Sequence, residues 1–243
     1  MRPLCFTALL LALAPGCSWA RRASLSAVDP ELRAKGAQLD RGEDPDGFAL
    51  GTFRVAKPEL QREAADTPGL LAPDTSPRPV VQHRLSLEVE APGESAEPGR
   101  QWSVGCIVQR RQPASMDYAS ALDENRDEVG VACELGGVAQ GVASDWAFRT
   151  QAELSHNFAG RLTDQSKTRS LDVEVVVWVE RFGKVRRHLP DPVAQVREGD
   201  TTIAAMVLSR PEQAWLAPEV DPETAEVAIS TMLALRFLPL GLE

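Results

Sequence analysis

Residues 80–90 read VVQHRLSLEVE, and from Val81 onward apolar and polar side chains alternate. Val81, His83, Leu85, Leu87 and Val89 fall on one side of an extended chain, and Gln82, Arg84, Ser86, Glu88 and Glu90 on the other. Successive side chains of a strand point to opposite faces, so this pattern predicts a half-buried antiparallel strand with one face on a core and one in water. The polar link APGESAEPGR (residues 91–100) leads into a second such strand, in which Trp102, Val104, Cys106 and Val108 share a face. Residues 129–135 and 146–154 repeat the alternation. Strands of this kind following one another through polar links predict a meander.

Residues 170–182, SLDVEVVVWVERF, break the pattern because Val175 to Val179 are apolar at every position. A strand of that kind is covered on both faces, so something must pack on its second side. The C-terminus supplies a candidate. Asp221 is a helix cap, Pro222 suits the first turn, Glu223 complements the helix dipole, and the following TAEVAISTMLALRFL is apolar almost all round. Such a helix must be buried. TTIAAMVL (201–208) and QAWLAP (213–218) read as two further strands joined by a turn around Pro211. The expected class is therefore α+β: a mainly antiparallel, meander-like sheet with a C-terminal helix packed on one face.

Upstream, alternation begins at GFALGTFRV, which sets the expected domain at residues 47–243. Residues 57–79 contain five prolines and read as a long surface loop, since proline has no N–H to give a central strand. Residues 17–46 are polar and read as a tether. A flexible chain of that length spans about 30 Å. A partial helix at residues 29–43, capped by Asp29 with Pro30 in its first turn, would shorten it, and Gly36 weakens that helix.

Residues 1–20 carry one early cation, Arg2, an apolar run at 4–14 and small residues after it, the pattern of a secretory signal. Eleven apolar residues are too few for a permanent membrane helix, which needs about 20. LAPGC (13–17) resembles the lipobox of bacterial lipoproteins in Gly16 and Cys17, with Ala14 and Pro15 departing from the usual choices. The resemblance covers the leader alone. It implies a signal peptide at residues 1–16 and a lipidated Cys17 as the mature N-terminus. Cleavage after Ser18, Trp19 and Ala20 is the competing reading and would release a secreted chain beginning at Arg21.

The net charge of −9 argues against a phosphate backbone as partner, so nucleic acid is not expected. Basic side chains are 22 Arg and only 4 Lys, a bias in keeping with high-GC coding, and no single Arg is informative. Cys106 and Cys133 lie on the apolar faces of their strands and are expected to form a disulfide in an oxidising compartment. His83, His156 and His188 fit no zinc spacing, with His83 on a core face. No GxSxG or SxxK nucleophile pattern occurs. Asp172 and Glu174 read as solvated groups on a polar strand face. Asp123, Asn125, Asp127 and Glu134 follow an EF-hand spacing, but Glu128 replaces the glycine of the sharp turn, so no metal site is expected. Trp102, Trp146 and Trp178 read as core rather than as a sugar-stacking platform.

One cationic group stands out: Lys184, Arg186, Arg187 and His188 flank a glycine turn in an acidic chain. It is the candidate binding patch, suited to an anionic envelope polymer or an acidic protein. The expected function is that of a bacterial cell-envelope lipoprotein, membrane-bound through its lipid on the periplasmic or outer-membrane face, without cofactor and with a non-catalytic binding or scaffold role. The alternative is a secreted or anchored hydrolase of an envelope polymer that uses carboxylates the sequence does not single out.

Overall fold

The computed structural model describes residues 21–42, 47–63, 70–71, 80–92, 99–111, 128–139, 142–150, 152–153, 157–181, 185–209 and 212–240. The strands are β1 (Ala37–Gly42), β2 (Phe48–Leu50), β3 (Phe53–Glu63), β4 (Val80–Glu90), β5 (Gln101–Arg111), β6 (Glu128–Ala139), β7 (Val142–Thr150), β8 (Ala152–Glu153), β9 (Phe158–Asp164), β10 (Ser170–Arg181), β11 (Val185–Glu198), β12 (Thr201–Val207) and β13 (Gln213–Leu216). Two helices accompany them, α1 (Pro30–Lys35) and α2 (Pro222–Phe237). The mainly β, antiparallel class and the C-terminal helix are as the sequence indicates.

The meander closes on itself. Each wall strand pairs antiparallel with its neighbours in the chain, β7 pairs with β9, and β1 pairs with β13 through Ala37 opposite Leu216 and Asp40 opposite Gln213. Twelve strands thus form a barrel, and the two-residue β8 is attached to β6. Closure removes the edges that an open sheet would expose.

Helix α2 is inside this barrel. It approaches β4, β5 and β6 on one side and β11 and β12 on the other. Val227, Ala228, Ile229, Met232, Leu233, Ala234 and Leu235 join the inward residues of the wall in one core, among them Leu85, Trp102, Phe148, Leu162 and Val175. A helix apolar on all sides has no solvent face to offer, and a closed barrel surrounds it completely. The one face on which the sequence places the helix is the barrel's interior.

The second face of β10 is covered by a different element than the sequence suggests. Val176 points outward into a smaller core with Leu189, Val193, Ala205, Val207 and Trp215, and this core is roofed by Val28 and Leu32. The covering segment is therefore N-terminal, from the region read as tether. A helical turn at residues 21–25 and helix α1 lie against the wall here. Asp29 does cap α1, accepting from the N–H of Glu31 at 2.8 Å and Leu32 at 3.1 Å. The helix ends at Lys35 because the chain at Gly36 runs so close to the wall that a Cβ there would stand 2.8 Å from the Leu216 carbonyl oxygen.

Two boundaries also differ from the sequence reading. The wall begins at Ala37, ahead of the alternation at residue 47, since β1 is held by its backbone pairing and buries little of its own polar side chains. Residues 57–63, read as the start of the Pro-rich loop, continue β3. The register with β4 shifts between Ala56 and Glu59, and Pro58 sits at that irregularity, where no ladder N–H is demanded of it.

Away from the N-terminal cover, the exposed residues of the wall include the polar Arg84, Ser86, Glu88 and Glu90 on β4, Ser103 on β5, Arg161 on β9 and Asp172 on β10. A lipid-spanning barrel has the reverse arrangement, with apolar residues outside. No described helix is long and apolar enough to cross a membrane.

Candidate functional site

The densest polar constellation among the described residues surrounds the first turn of α2. Asp221 caps the helix by accepting from the N–H of Thr224 at 3.0 Å, and Glu223 and Glu226 follow one turn apart or less. The barrel wall answers each acid. Arg169 reaches Asp221 at 3.0 Å and Glu223 at 3.7 Å, and it also hydrogen-bonds the Thr224 hydroxyl. Arg100 pairs with Glu226 at 3.2 Å and approaches Glu223 at 3.8 Å.

Two tryptophans complete the collar. The Trp102 indole N–H donates to Glu226 at 3.1 Å, and the Trp146 N–H donates to Glu223 at 3.2 Å beside the Ser144 hydroxyl, which donates to the same carboxylate at 2.7 Å. Arg100 lies over the Trp102 ring and Arg169 over the Trp146 ring, with centroid distances of 5.6 and 5.2 Å. Trp102 fits because Gly137 faces it across the strands; a Cβ there would stand 2.8 Å from the ring. Burial, the largest influence on Glu226, lifts its carboxyl above the ordinary 4.5, against the Trp102 N–H and Arg100 and with help from Glu223 and Asp221. Asp221 is pushed up by burial too, but bonds from Thr224 and the charge of Arg169 outweigh this and leave it lowered.

A second polar group holds the other end of the helix. Glu212, with no exposed side-chain surface, accepts from Arg41 of β1 at 2.8 Å and from Arg236 of α2 at 2.9 Å. Phe48 and Phe237 meet edge-to-face beside it at 5.5 Å, with Arg41 stacked on Phe48 at 4.9 Å. Chemically, both groups act as locks: their carboxylates are engaged by guanidinium, indole and hydroxyl donors. The sequence reading missed the collar because its members come from four separate places in the chain; the helix-cap acids Asp221 and Glu223 were its one visible signal.

The residues singled out from sequence are dispersed. Cys106 and Cys133 are joined, standing directly opposite on β5 and β6. Cys17, His156 and the Asp123 to Asp127 part of the EF-hand spacing lie outside the described residues, while Glu134 is exposed on the outer face of β6. Of the cationic patch, Lys184 lies outside the described residues. Arg186, Arg187 and His188 stand on β11 opposite Glu180, Val179 and Trp178, and their side chains lie outside the description. His83 is half-buried, and burial followed by the charge of Arg62 lowers its pKa. Asp172 pairs with Arg161 at 3.2 Å on the exposed wall.

Among the described residues no group of three or more His, Cys, Asp or Glu is placed to share a metal ion. An open depression of about 560 Å³ lies on the outside of β5, β6 and β7, floored by Gly105 and Gly136 and flanked by Glu134, Asp145 and Gln165. The chain matches no protein-family model, no curated protein and no solved structure.

Proposed function

We propose that this chain is a lipid-anchored protein of the bacterial cell envelope whose barrel is a non-catalytic binding or scaffolding body. The observation that carries the binding reading is the occupied interior. Barrels that hold small ligands keep a cavity inside the wall. Here α2 and the inward side chains fill that space, so partners are left with the outer wall and the strand connections. The acids that would serve a hydrolase are engaged at the collar by Arg100, Arg169 and two indoles, which favours the scaffold over the enzyme. The Cys106–Cys133 disulfide suits an oxidising compartment and supports export.

The anchor rests on the lipobox-like LAPGC at residues 13–17. Metabolic labelling with a fatty-acid analogue should mark the wild-type chain and not Cys17→Ser, and the mature N-terminus should be an acylated Cys17. An unmodified mature chain starting at Arg21 would replace this reading with simple secretion. A purified protein that cleaves an envelope polymer, and loses that activity on replacement of one carboxylate, would overturn the non-catalytic role.

A further inference from the structure

We infer that the outer wall of β11, β12 and β13, with residues 21–35 docked on it, is the face that lies against the bilayer and meets anionic phospholipid headgroups. The inference rests on Cys17 as the anchored residue and adds an orientation to it. Chain length is the first argument. The segment is fixed to the wall from Arg21 onward: Arg21 hydrogen-bonds Gln213, Gln195 donates to the Ala27 carbonyl at 2.7 Å, and Val28 and Leu32 are buried in the outer core. Four residue steps separate Cys17 from Arg21, a reach of at most about 14 Å. A polar tether running free to residue 46 would let the barrel tumble well above the surface. A chain seized at residue 21 holds this wall close to it.

Charge is the second argument. Residues 21–35 carry Arg21, Arg22, Arg33 and Lys35 against Asp29 and Glu31, in a protein with a net charge of −9. Arg22, Arg33 and Lys35 are exposed, Lys35 paired with Glu31 at 2.6 Å, and Asp29 is engaged in capping α1. Basic residues beside a membrane attachment are attracted to anionic headgroups, and tryptophan, present here as Trp19, favours headgroup depth. The opposite side of the barrel has the other sign. β5 stands six strands from β12 in either direction around the ring. The exposed charges described on β4 to β7 are Glu88, Glu90, Glu134 and Asp145 against Arg84 and Arg149. Glu198, Asp200 and Glu219 are also exposed at the ends of β11 to β13, so the attraction to an anionic surface is local to residues 21–35, while β4 to β7 repel it.

The scarcity of lysine makes a direct test. The chain from Cys17 onward has that residue as its one unpaired thiol, since Cys106 and Cys133 are bonded. Cys17 is coupled to a maleimide-bearing phospholipid in vesicles of phosphatidylcholine with phosphatidylglycerol, and acetylation of Lys35 by a water-soluble succinimidyl ester is followed by peptide mass. The same chain capped with a small maleimide is the reference, and Ser103→Lys places a reporter on the far wall. Lys35 should react several-fold more slowly on the vesicles, less so without phosphatidylglycerol, while the lysine introduced at position 103 keeps its rate. Equal rates for Lys35 on vesicles and in solution, equal slowing at both positions, or slowing indifferent to the anionic lipid would overturn the proposal. Because the lipid is attached chemically, this result is independent of whether the cell acylates Cys17.

Discussion

Glu212 and Arg236 are joined 2.9 Å apart between the wall and the end of the internal helix, with the Glu212 side chain wholly buried. Arg41 of β1 occupies the other carboxylate oxygen at 2.8 Å, so one acid ties the barrel seam to its filling.

Replacing Glu212 with Ala should leave two guanidinium groups without their partner. Breaking a buried pair by removing one member costs about 3–5 kcal/mol, and the partial exposure of both arginines places this case at the lower end. Burial alone would raise the Glu212 pKa, but bonds from Arg41, the backbone and Arg236 together hold it below the ordinary 4.5. A lowered carboxylate stabilises the fold above its unfolded pKa, and this contribution is lost as pH falls through the folded value. Chemical denaturation of wild type and variant should thus converge on acidification.

Glu226 should behave with the opposite sign. Its pKa is raised, chiefly by burial, so the folded state holds that proton more tightly than the unfolded chain does. Its contribution favours folding below the ordinary 4.5 and is lost as pH rises through the folded value. Glu226→Gln keeps an acceptor for the Trp102 N–H and removes the titration. The thermal midpoint of the variant relative to wild type should therefore rise as pH climbs from the ordinary 4.5 through the folded pKa. A flat difference would show that the fold does not raise the proton affinity of Glu226.

The Cys106–Cys133 bond closes a sequence separation of 27 residues, worth about 3–4 kcal/mol in the chain-entropy account. Cys106→Ala with Cys133→Ala should lower the urea midpoint accordingly. Both cysteines are buried, at 1% and 3% exposure, so dithiothreitol should leave the bond intact until denaturant opens the barrel. Non-reducing peptide mapping reads both outcomes.

Leu32→Asp should release the N-terminal segment while the barrel persists. Burial of a side chain such as Leu32 or Val28 contributes about 1.5–3 kcal/mol, and these two are the most buried apolar side chains by which residues 21–35 hold the wall. Amide exchange should rise across that segment and stay slow in β4 to β6.

Charge reversal at Lys184, Arg186 and Arg187 tests the cationic patch. Capture of an anionic polymer should weaken, with a salt-sensitive response in the wild type. Unchanged capture would move the binding surface elsewhere on the wall.

Much of the wall is legible in sequence because alternation reports burial directly: Leu85, Leu87 and Val89 point in, and Ser86, Glu88 and Glu90 point out, as the pattern of residues 80–90 requires. Closure is not legible, since a period of two names the faces of a sheet and carries no information on its curvature. The apolar run at Val175 to Val177 announces two covers without naming them, and both α2 inside and the N-terminal segment outside fit it equally. β1 escapes because AQLDRG shows no alternation beyond the lone Leu39, and its place in the wall is set by main-chain pairing with β2 and β13 and by the distant partner Glu212 of Arg41. The collar escapes for a related reason: its Arg and Trp members look like ordinary strand residues until closure of the barrel gathers them around the helix.

The seam between β1 and β13 joins the first strand to the last, and the helix that fills the barrel is made after both. A chain emerging from a ribosome consequently has no closed wall until β13 is free and no interior filling until α2 is free. Pairings this distant in sequence must meet a large loop-closure cost before any contact rewards them, which makes folding late and slow. The same architecture that locks the finished barrel at both ends keeps the unfinished chain open until its filling helix is available.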